Sequence, residues 1–135
     1  MIYKIIDIEG IGPVYAEKLL AAGIETDKQL LEKCAKPAGR KALEEETGIS
    51  GKLILTWANH AGLMRIDGVG PQFSELREAA GVDTVKEFRH RVAENLQPKL
   101  EEVNGEKHLV GRVPSLKEIQ DMIDQAKALD PVMEY

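Results

Sequence analysis

Two short stretches that combine two glycines with one apolar residue carry the clearest chemical signal in this sequence. Residues 8–13 are Ile-Glu-Gly-Ile-Gly-Pro, and residues 66–71 repeat them as Ile-Asp-Gly-Val-Gly-Pro at an offset of fifty-eight. Glycines let the backbone turn tightly, while the apolar residue between them anchors the turn. The amides that open the following helix, reinforced by the helix dipole, can donate to a phosphate oxygen. Such contacts hold a nucleic-acid backbone without reading its bases.

The residues predicted to contact phosphate groups come from the turns and from basic positions beyond them. The turns supply six of them: Gly10, Ile11, Gly12, Gly68, Val69 and Gly70. Lys18 and Arg77 follow on the next helices. Larger basic groups lie further along each half: Lys33, Lys36, Arg40 and Lys41 in the first, and Lys86, Arg89, Arg91 and Lys99 in the second. The predicted set is completed by Arg40, Lys41, Arg89 and Arg91.

Acidic residues around the turns favour a different interpretation. Glu9 and Asp67 lie within the turns, where a carboxylate repels a phosphate. Glu17 and Glu75 lie near the start of the following helices, where they would stabilise the positive end of the helix dipole. The turns therefore also fit the role of tight connectors that pack helices without binding a ligand.

The repeat extends well beyond the two turns. Matching residues at the same offset are Tyr15 with Phe73, Ala22-Gly23-Ile24 with Ala80-Gly81-Val82, and Thr26 with Thr84. A dinucleotide-binding fold is disfavoured, because Tyr15 or Phe73 stands where a third glycine belongs and no βαβ pattern surrounds it. The repeat predicts one compact domain over residues 1–135, built from pseudo-symmetric halves 1–65 and 66–135 that share one core.

Composition predicts an all-α protein. The chain of 135 residues can bury a core without cross-links, and its aromatic content of 4% with few β-branched alternations favours helices. A single cysteine, Cys34, excludes an internal disulfide. The histidines, His60, His90 and His108, lack metal-ligand spacing, so neither a metal nor a cofactor is predicted.

The net charge and the opening residues limit which partners and which cellular location are expected. The net charge is −5; residues 1–65 hold nine basic and nine acidic residues, and residues 66–135 hold nine against fourteen. This acidity argues against strong non-specific duplex binding but leaves room for a local basic face. The apolar stretch that opens the sequence is too short for a signal peptide, and acidic residues follow it too soon. No membrane span is evident either, so a cytoplasmic location is expected.

Capping and stop signals predict a succession of helices. Pro13 begins the first, whose apolar stripe is Tyr15, Ala16, Leu19, Leu20 and Ala22, and Gly23 ends it. Thr26 or Asp27 caps the second, which residues 36–39 end. Further helices are expected at 40–47, 52–63, 71–80 and 85–93, and from a Ser115–Glu118 capping box to 129. Another is expected from a cap at Asn95 to about 103 or beyond, interrupted or bent at residues 104–105. Expected core positions include Val85, Phe88, Val92, Leu116, Ile119, Ile123 and Ala126.

The sequence resembles a bacterial family of domains of unknown function, DUF4332. The resemblance lies in residues 8–13, 47–50, 57–61, 63–70, 80–84 and 94–96, and continues through Pro114-Ser115 and Gln125-Ala126-Lys127 to cover nearly the entire chain. It implies an all-helical body with tandem helix-hairpin-helix units and no established activity. Gly62 stands where the family is expected to have an acidic residue.

The wider helix-hairpin-helix superfamily implies more about the turns. In its DNA-binding members the hairpin amides hold backbone phosphates and hairpin carbonyls can hold a monovalent cation, and the matching positions are 10–12 and 68–70. Those members often carry a basic residue directly after the turn, whereas this chain has Val14 and Gln72.

Two functional hypotheses remain open. The first is non-enzymatic, sequence-independent binding of DNA or RNA phosphates through the glycine turns. The alternative is a module for protein interaction or self-association that binds no nucleic acid. No Ser/His/Asp or Cys/His arrangement indicates a catalytic site, so an enzyme is not expected.

Overall fold

Helices make up the regular structure of this chain. The computed structural model describes residues 2–130 and 132–135, and its regular elements there are helices, with one isolated bridge between Lys4 and Thr26. The α-helices are α1 (Pro13–Ala21), α2 (Asp27–Cys34), α3 (Pro37–Thr47), α4 (Gly51–Leu63), α5 (Ser74–Ala79), α6 (Val85–Arg89), α7 (Ala93–Lys107) and α8 (Leu116–Ala128). Short 3-10 helices cover Ile5–Asp7 and Pro71–Phe73. The prediction of an all-α fold is confirmed. Across these described ranges, every helix is too short or too polar to cross a bilayer.

The helices group into two compact units. The first comprises Met1–Gly62 and Val132–Tyr135, and the second comprises Leu63–Pro131. Each unit contains one glycine turn. A single core shared by the two halves stays a prediction.

Each unit buries its own set of aliphatic side chains. In the first unit the fully buried residues come from all four helices and include Leu19, Leu30, Cys34, Leu43 and Ile54. In the second unit the core includes Leu76, Phe88, Leu96, Leu100, Ile119 and Ile123. Removing such surfaces from water stabilises the fold by about 25 cal/mol per Å² of apolar area. The expected core positions Phe88, Ile119, Ile123 and Ala126 are confirmed.

Helix starts follow the predicted capping residues. Thr26 Oγ1 accepts from the Gln29 amide at 3.2 Å, and Gln29 Oε1 accepts in return from the Thr26 amide. Thr84 Oγ1 accepts from the Glu87 amide at 3.0 Å, at the equivalent position of the repeat. Ser115 forms the predicted capping box with Glu118. These bonds satisfy amides that a helix start leaves open.

Several predicted helix boundaries are wrong. α3 begins at Pro37 rather than Arg40, because proline at the first helical position loses no intrahelical bond. The helix expected over 71–80 is split into Pro71–Phe73 and α5. α6 stops at Arg89, and Val92 caps α7 in place of Asn95. α7 then runs past 104–105 to Lys107.

Three residues expected in the core are exposed instead. Val92 is 53% exposed because it caps α7 from outside the helix, and Leu116 is 46% exposed at the first position of α8. Leu20 is 51% exposed, so the buried stripe of α1 is narrower than predicted and consists of Ala16 and Leu19.

Candidate functional site

The first glycine turn has a backbone that only glycine adopts readily. Gly10 has a φ of +90°, which is unfavourable for residues with a Cβ. The Ile11 amide donates to the Ile8 carbonyl at 3.1 Å and closes the turn. Ile11 itself is buried, as an anchor should be. Gly12 is extended, with φ −85° and ψ −178°, and leads into Pro13 at the start of α1.

The second turn repeats this geometry within its own unit. Gly68 has a φ of +90°, and the Val69 amide donates to the Ile66 carbonyl at 3.0 Å. Val69 is buried, and Gly70 is extended with φ −102° and ψ −173°. The duplicated sequence therefore produces a duplicated local backbone.

The helix ends beyond the turns match as well. Gly23 and Gly81 adopt positive φ values of 85° and 90° after α1 and α5. The Ile24 amide then donates to the Leu19 carbonyl at 2.9 Å, and the Val82 amide to the Arg77 carbonyl at 2.8 Å. Bonds of this kind satisfy carbonyls that a helix end leaves open.

The inner side of each turn is closed by a helix of its own unit. A methyl carbon added at Gly10 would lie 3.0 Å from Nε1 of Trp57 on α4. One added at Gly68 would lie 2.9 Å from Cε of Met122 on α8. Trp57 is buried and meets the Tyr15 ring edge-on, with the two ring centres 5.1 Å apart, so it anchors this side of the first unit. Any ligand must approach the turns from outside.

The outer side of the first turn is open. Within the described part of the chain, no heavy atom beyond the immediate neighbours lies within 4 Å of a methyl carbon added at Gly12. Behind it the amides of Val14 and Tyr15 belong to the first turn of α1, where a helix has no internal acceptors for them. Lys18 is exposed on the same helix. A small anion could reach these amides from solvent.

The carboxylate of the first turn is directed inward. Glu9 is half-buried, and one of its carboxylate oxygens lies within 4.8 Å of a ring nitrogen of buried His60. Asp7 and Glu17 remain exposed near the turn. The repulsion expected from acidic residues therefore comes mainly from these two positions.

The second turn is less available. The Asp67 amide already donates to Oε1 of Gln125 at 2.9 Å. The segment that follows is the 3-10 helix Pro71–Phe73, in which the Phe73 amide donates to the Gly70 carbonyl at 3.1 Å. Amides that would face a ligand are thus partly satisfied inside the unit.

Arg77 does not lie on the surface. It is 1% exposed, and its Nη1 donates to the Val82 carbonyl at 3.1 Å. A buried guanidinium cannot reach a phosphate on a nucleic-acid backbone. The expectation that Arg77 adds positive charge beside the second turn is therefore wrong.

Two other arginines of the predicted set bind helix ends. Arg91 Nη1 donates to the Ala80 carbonyl at 3.3 Å and pairs with Glu87 at the same distance. Arg40 Nη1 donates to the carbonyls of Cys34 and Ala35, at 3.0 and 3.2 Å. The sequence predicts these two arginines as solvent-exposed charges. In the structure, several of their N–H groups instead donate to carbonyls at helix ends.

The remaining basic residues of the predicted set are more accessible. Lys41 is exposed on α3, and Arg89 is half-buried at the last position of α6. Lys33 is exposed in the last turn of α2, and Lys36 is exposed between α2 and α3. Exposed positive charge thus gathers near the junction of α2 and α3 rather than beside the second turn.

Comparison with protein families identifies a match over most of the chain. A family model described as Domain of unknown function (DUF4332) matches residues 9–129. The chain belongs to this family. The match includes nearly all of the first turn, the second turn and every α-helix, and it confirms the resemblance inferred from the sequence. No curated protein and no solved structure matches the chain.

The DUF4332 chain also has an apolar groove that the sequence did not reveal. The groove, of about 440 Å³, lies in the first unit and is lined by Lys4, Ile5, Ile6, Ala16, Leu20, Glu25 and Thr26. Ile6 is 47% exposed at its edge. The prediction placed Leu20 in the core, and for that reason this surface was missed.

Proposed function

We propose that this DUF4332 chain is a non-enzymatic protein that binds the phosphates of DNA or RNA without reading sequence. The first glycine turn and α1 would form a helix-hairpin-helix contact. The observation that carries the proposal is the open position in front of Gly12, behind which the Val14 and Tyr15 amides point out of a helix start. A bacterial cytoplasmic setting, where both nucleic acids are found, is part of the proposal.

The chemistry of the first turn supports an anionic ligand. Helix-start amides carry partial positive charge and bind phosphates without a dedicated side chain. Exposed Lys18 would add a mobile cation, and the inward position of Glu9 removes one nearby repulsion. Because Asp7 and Glu17 remain exposed, we expect weak binding that is detectable mainly at low salt.

The second turn has a structural role in this proposal. Its Asp67 amide is held by Gln125, and Arg77 is buried. The two turns thus share a backbone but differ in what they can bind. This asymmetry replaces the expectation of two equivalent contacts.

The decisive variant is Gly12→Asp. Position 12 is extended and open, so an aspartate fits there and can cap α1 by accepting from the Val14 or Tyr15 amide. The variant should fold as well as the parent while filling the place of the phosphate. Binding of a labelled DNA duplex, and of an RNA duplex in a second arm, should fall at least about tenfold at low salt.

Two matched variants control for geometry and charge. Gly12→Ala adds a methyl group without an acceptor, and it should keep most of the affinity. Ser50→Asp adds the same charge at the start of α4, where Ser50 Oγ already accepts from the Lys52 amide. If the parent binds neither nucleic acid at low ionic strength, or if Ser50→Asp weakens binding as much as Gly12→Asp, the proposal is wrong.

Self-association is a second candidate, favoured by the apolar groove. Ile6 and Leu20 give its walls an aliphatic surface that a nucleic-acid backbone would not use. Lys4 and Glu25 add opposite charges to the same groove. In a two-fold dimer the lysine of one copy could pair with the glutamate of the other, twice.

A charge exchange tests the dimer. Lys4→Glu should weaken self-association measured by sedimentation, and Lys4→Glu combined with Glu25→Lys should restore it. Leu20→Lys should abolish it by placing a charge in the apolar contact. A parent chain that stays monomeric at millimolar concentration would rule out this candidate.

A further inference from the structure

Residues 132–135 are held against the rest of the first unit by hydrogen bonds to the backbone of Glu134. The Glu134 amide donates to the Ala35 carbonyl at 2.7 Å, just beyond α2. In the opposite direction, Arg40 Nη2 donates to the Glu134 carbonyl at 2.8 Å. The backbone N–H and the carbonyl of Glu134 are thus both hydrogen-bonded at the junction of α2 and α3.

Side chains of the segment add three further contacts. Tyr135 Oη donates to Oδ1 of Asn59 at 2.6 Å. The Arg40 guanidinium lies 5.9 Å from the centre of the Tyr135 ring, within reach of a cation–π interaction. Glu134 Oε2 lies 3.9 Å from Lys36 Nζ, at an exposed position where the pair adds little stability by itself.

The segment contacts two members, Lys36 and Arg40, of a group of basic residues that we call the basic corner. The group is formed by Lys33, Lys36, Arg40 and Lys41. Arg40 is fixed within it, because Nη1 donates to the Cys34 and Ala35 carbonyls. Its Nη2 and the face of its guanidinium point to the segment. The in-plane N–H groups of a guanidinium bind phosphate and its face stacks on aromatic rings, and the segment engages both. The Glu134 carboxylate also supplies an anion beside Lys36.

We infer that the basic corner is a second phosphate-binding surface and that residues 132–135 are an autoinhibitory strap that closes it. Release of the strap frees Arg40 Nη2 and the guanidinium face and removes the Glu134 carboxylate from Lys36. The corner then offers four cations to a nucleic-acid backbone. The ligand in this inference rests on the proposed function, whereas the masking of Arg40 does not.

The strap is released by Glu134→Pro combined with Tyr135→Ala. Proline removes the amide that donates to Ala35 together with the acidic side chain, and alanine removes the ring and the bond to Asn59. Binding of a labelled DNA duplex at low salt should tighten by about fivefold or more. Its salt dependence should steepen by about two, because two further cations contact phosphates.

The matched control is Glu45→Gln, which makes the same charge change at an exposed position of α3. A second measurement follows the arginine itself: modification of Arg40 by phenylglyoxal, located by peptide mass mapping. Arg40 should react faster in the strap variant than in the parent, and at the parent rate in Glu45→Gln. Circular dichroism verifies that each variant is folded.

The two measurements separate the outcomes. If Arg40 reacts at the same rate in parent and strap variant, the strap does not mask it and the inference is overturned. If Arg40 is unmasked but duplex affinity does not change, or changes as in Glu45→Gln, masking is upheld and autoinhibition is overturned. If Arg40 is unmasked and neither protein binds a duplex, masking is again upheld, and the proposed function is what fails.

Discussion

Arg77 and Val82 are joined twice in the second unit. The Val82 amide donates to the Arg77 carbonyl at 2.8 Å, and Arg77 Nη1 donates to the Val82 carbonyl at 3.1 Å. At the equivalent place in the first unit, the Ile24 amide donates to the carbonyl of Leu19, whose side chain is apolar. The same loop is therefore closed by backbone alone in one unit and by backbone and guanidinium in the other.

Replacing Arg77 by alanine should destabilise the protein by about 2–4 kcal/mol. The change leaves a cavity and removes the donor that satisfies a buried carbonyl. Urea unfolding followed by circular dichroism measures the effect. Lys18→Ala, an exposed change on α1, should stay within about 0.5 kcal/mol of the parent. Equal stabilities for the two variants would show that the buried guanidinium contributes nothing.

Gly10 and Gly12 should respond differently to alanine. Gly10→Ala imposes a positive φ on a residue with a Cβ and brings its methyl group to 3.0 Å from Trp57, so we expect a loss of about 2 kcal/mol. Gly12→Ala meets open space at an ordinary φ and should cost less than about 0.5 kcal/mol. Thermal unfolding of both variants gives the comparison. A tolerated alanine at position 10 would contradict the turn geometry.

The thiol of Cys34 should be unreactive in the folded protein. Burial raises the pKa of Cys34 to about 11, against lowering effects of Arg40 and Lys33, so little thiolate is present at pH 8. A thiol-specific disulfide reagent should modify the folded chain at least about a hundredfold more slowly than the chain in concentrated urea. Rapid modification without denaturant would mean that the core of the first unit opens easily.

Acid should weaken the start of α8. Hydrogen bonds from Arg112, at 2.8 and 2.9 Å, and from the Ser115 amide lower the pKa of Glu118 from 4.5 to about 2. A carboxyl whose pKa is lower in the folded state stabilises above pH 4.5, and this contribution is lost as the pH falls towards 2. The stability difference between parent and Glu118→Gln should therefore shrink over that range in urea unfolding. A difference that is constant from pH 6 to pH 2 would contradict this assignment.

Local features of the fold could be predicted because neighbouring residues determine them. The caps at Thr26, Thr84 and Ser115 depend on residues three positions apart, and the sequence shows both partners. The positive φ values of Gly10 and Gly68 follow from the turn pattern alone. These are the parts of the candidate site that the sequence predicts well.

The hydrogen-bond partners of the arginines could not be predicted, because they depend on tertiary contacts. Arg40, Arg77 and Arg91 have the same sequence signature as solvated charges, yet each donates to a carbonyl at a helix end or in a loop. A repeat alignment places Arg77 opposite Leu19, which is fully buried, and this correspondence was the one available sign that the position points inward. The exposure of Leu20 was not predicted because periodicity gives the apolar face of a helix but not its width. The exposure of Val92 was not predicted because α6 ends at Arg89 and leaves Val92 outside both helices.

The order of synthesis gives residues 132–135 a further consequence. Arg40 leaves the ribosome ninety-four positions before Glu134, whose carbonyl it binds. At a translation rate of about 5–20 residues per second, that interval lasts about 5–20 s. Throughout it, every nascent chain has α2 and α3 available but not the segment that covers them. In each round of translation the basic corner therefore stays uncovered until residues 132–135 have followed the second unit out of the ribosome.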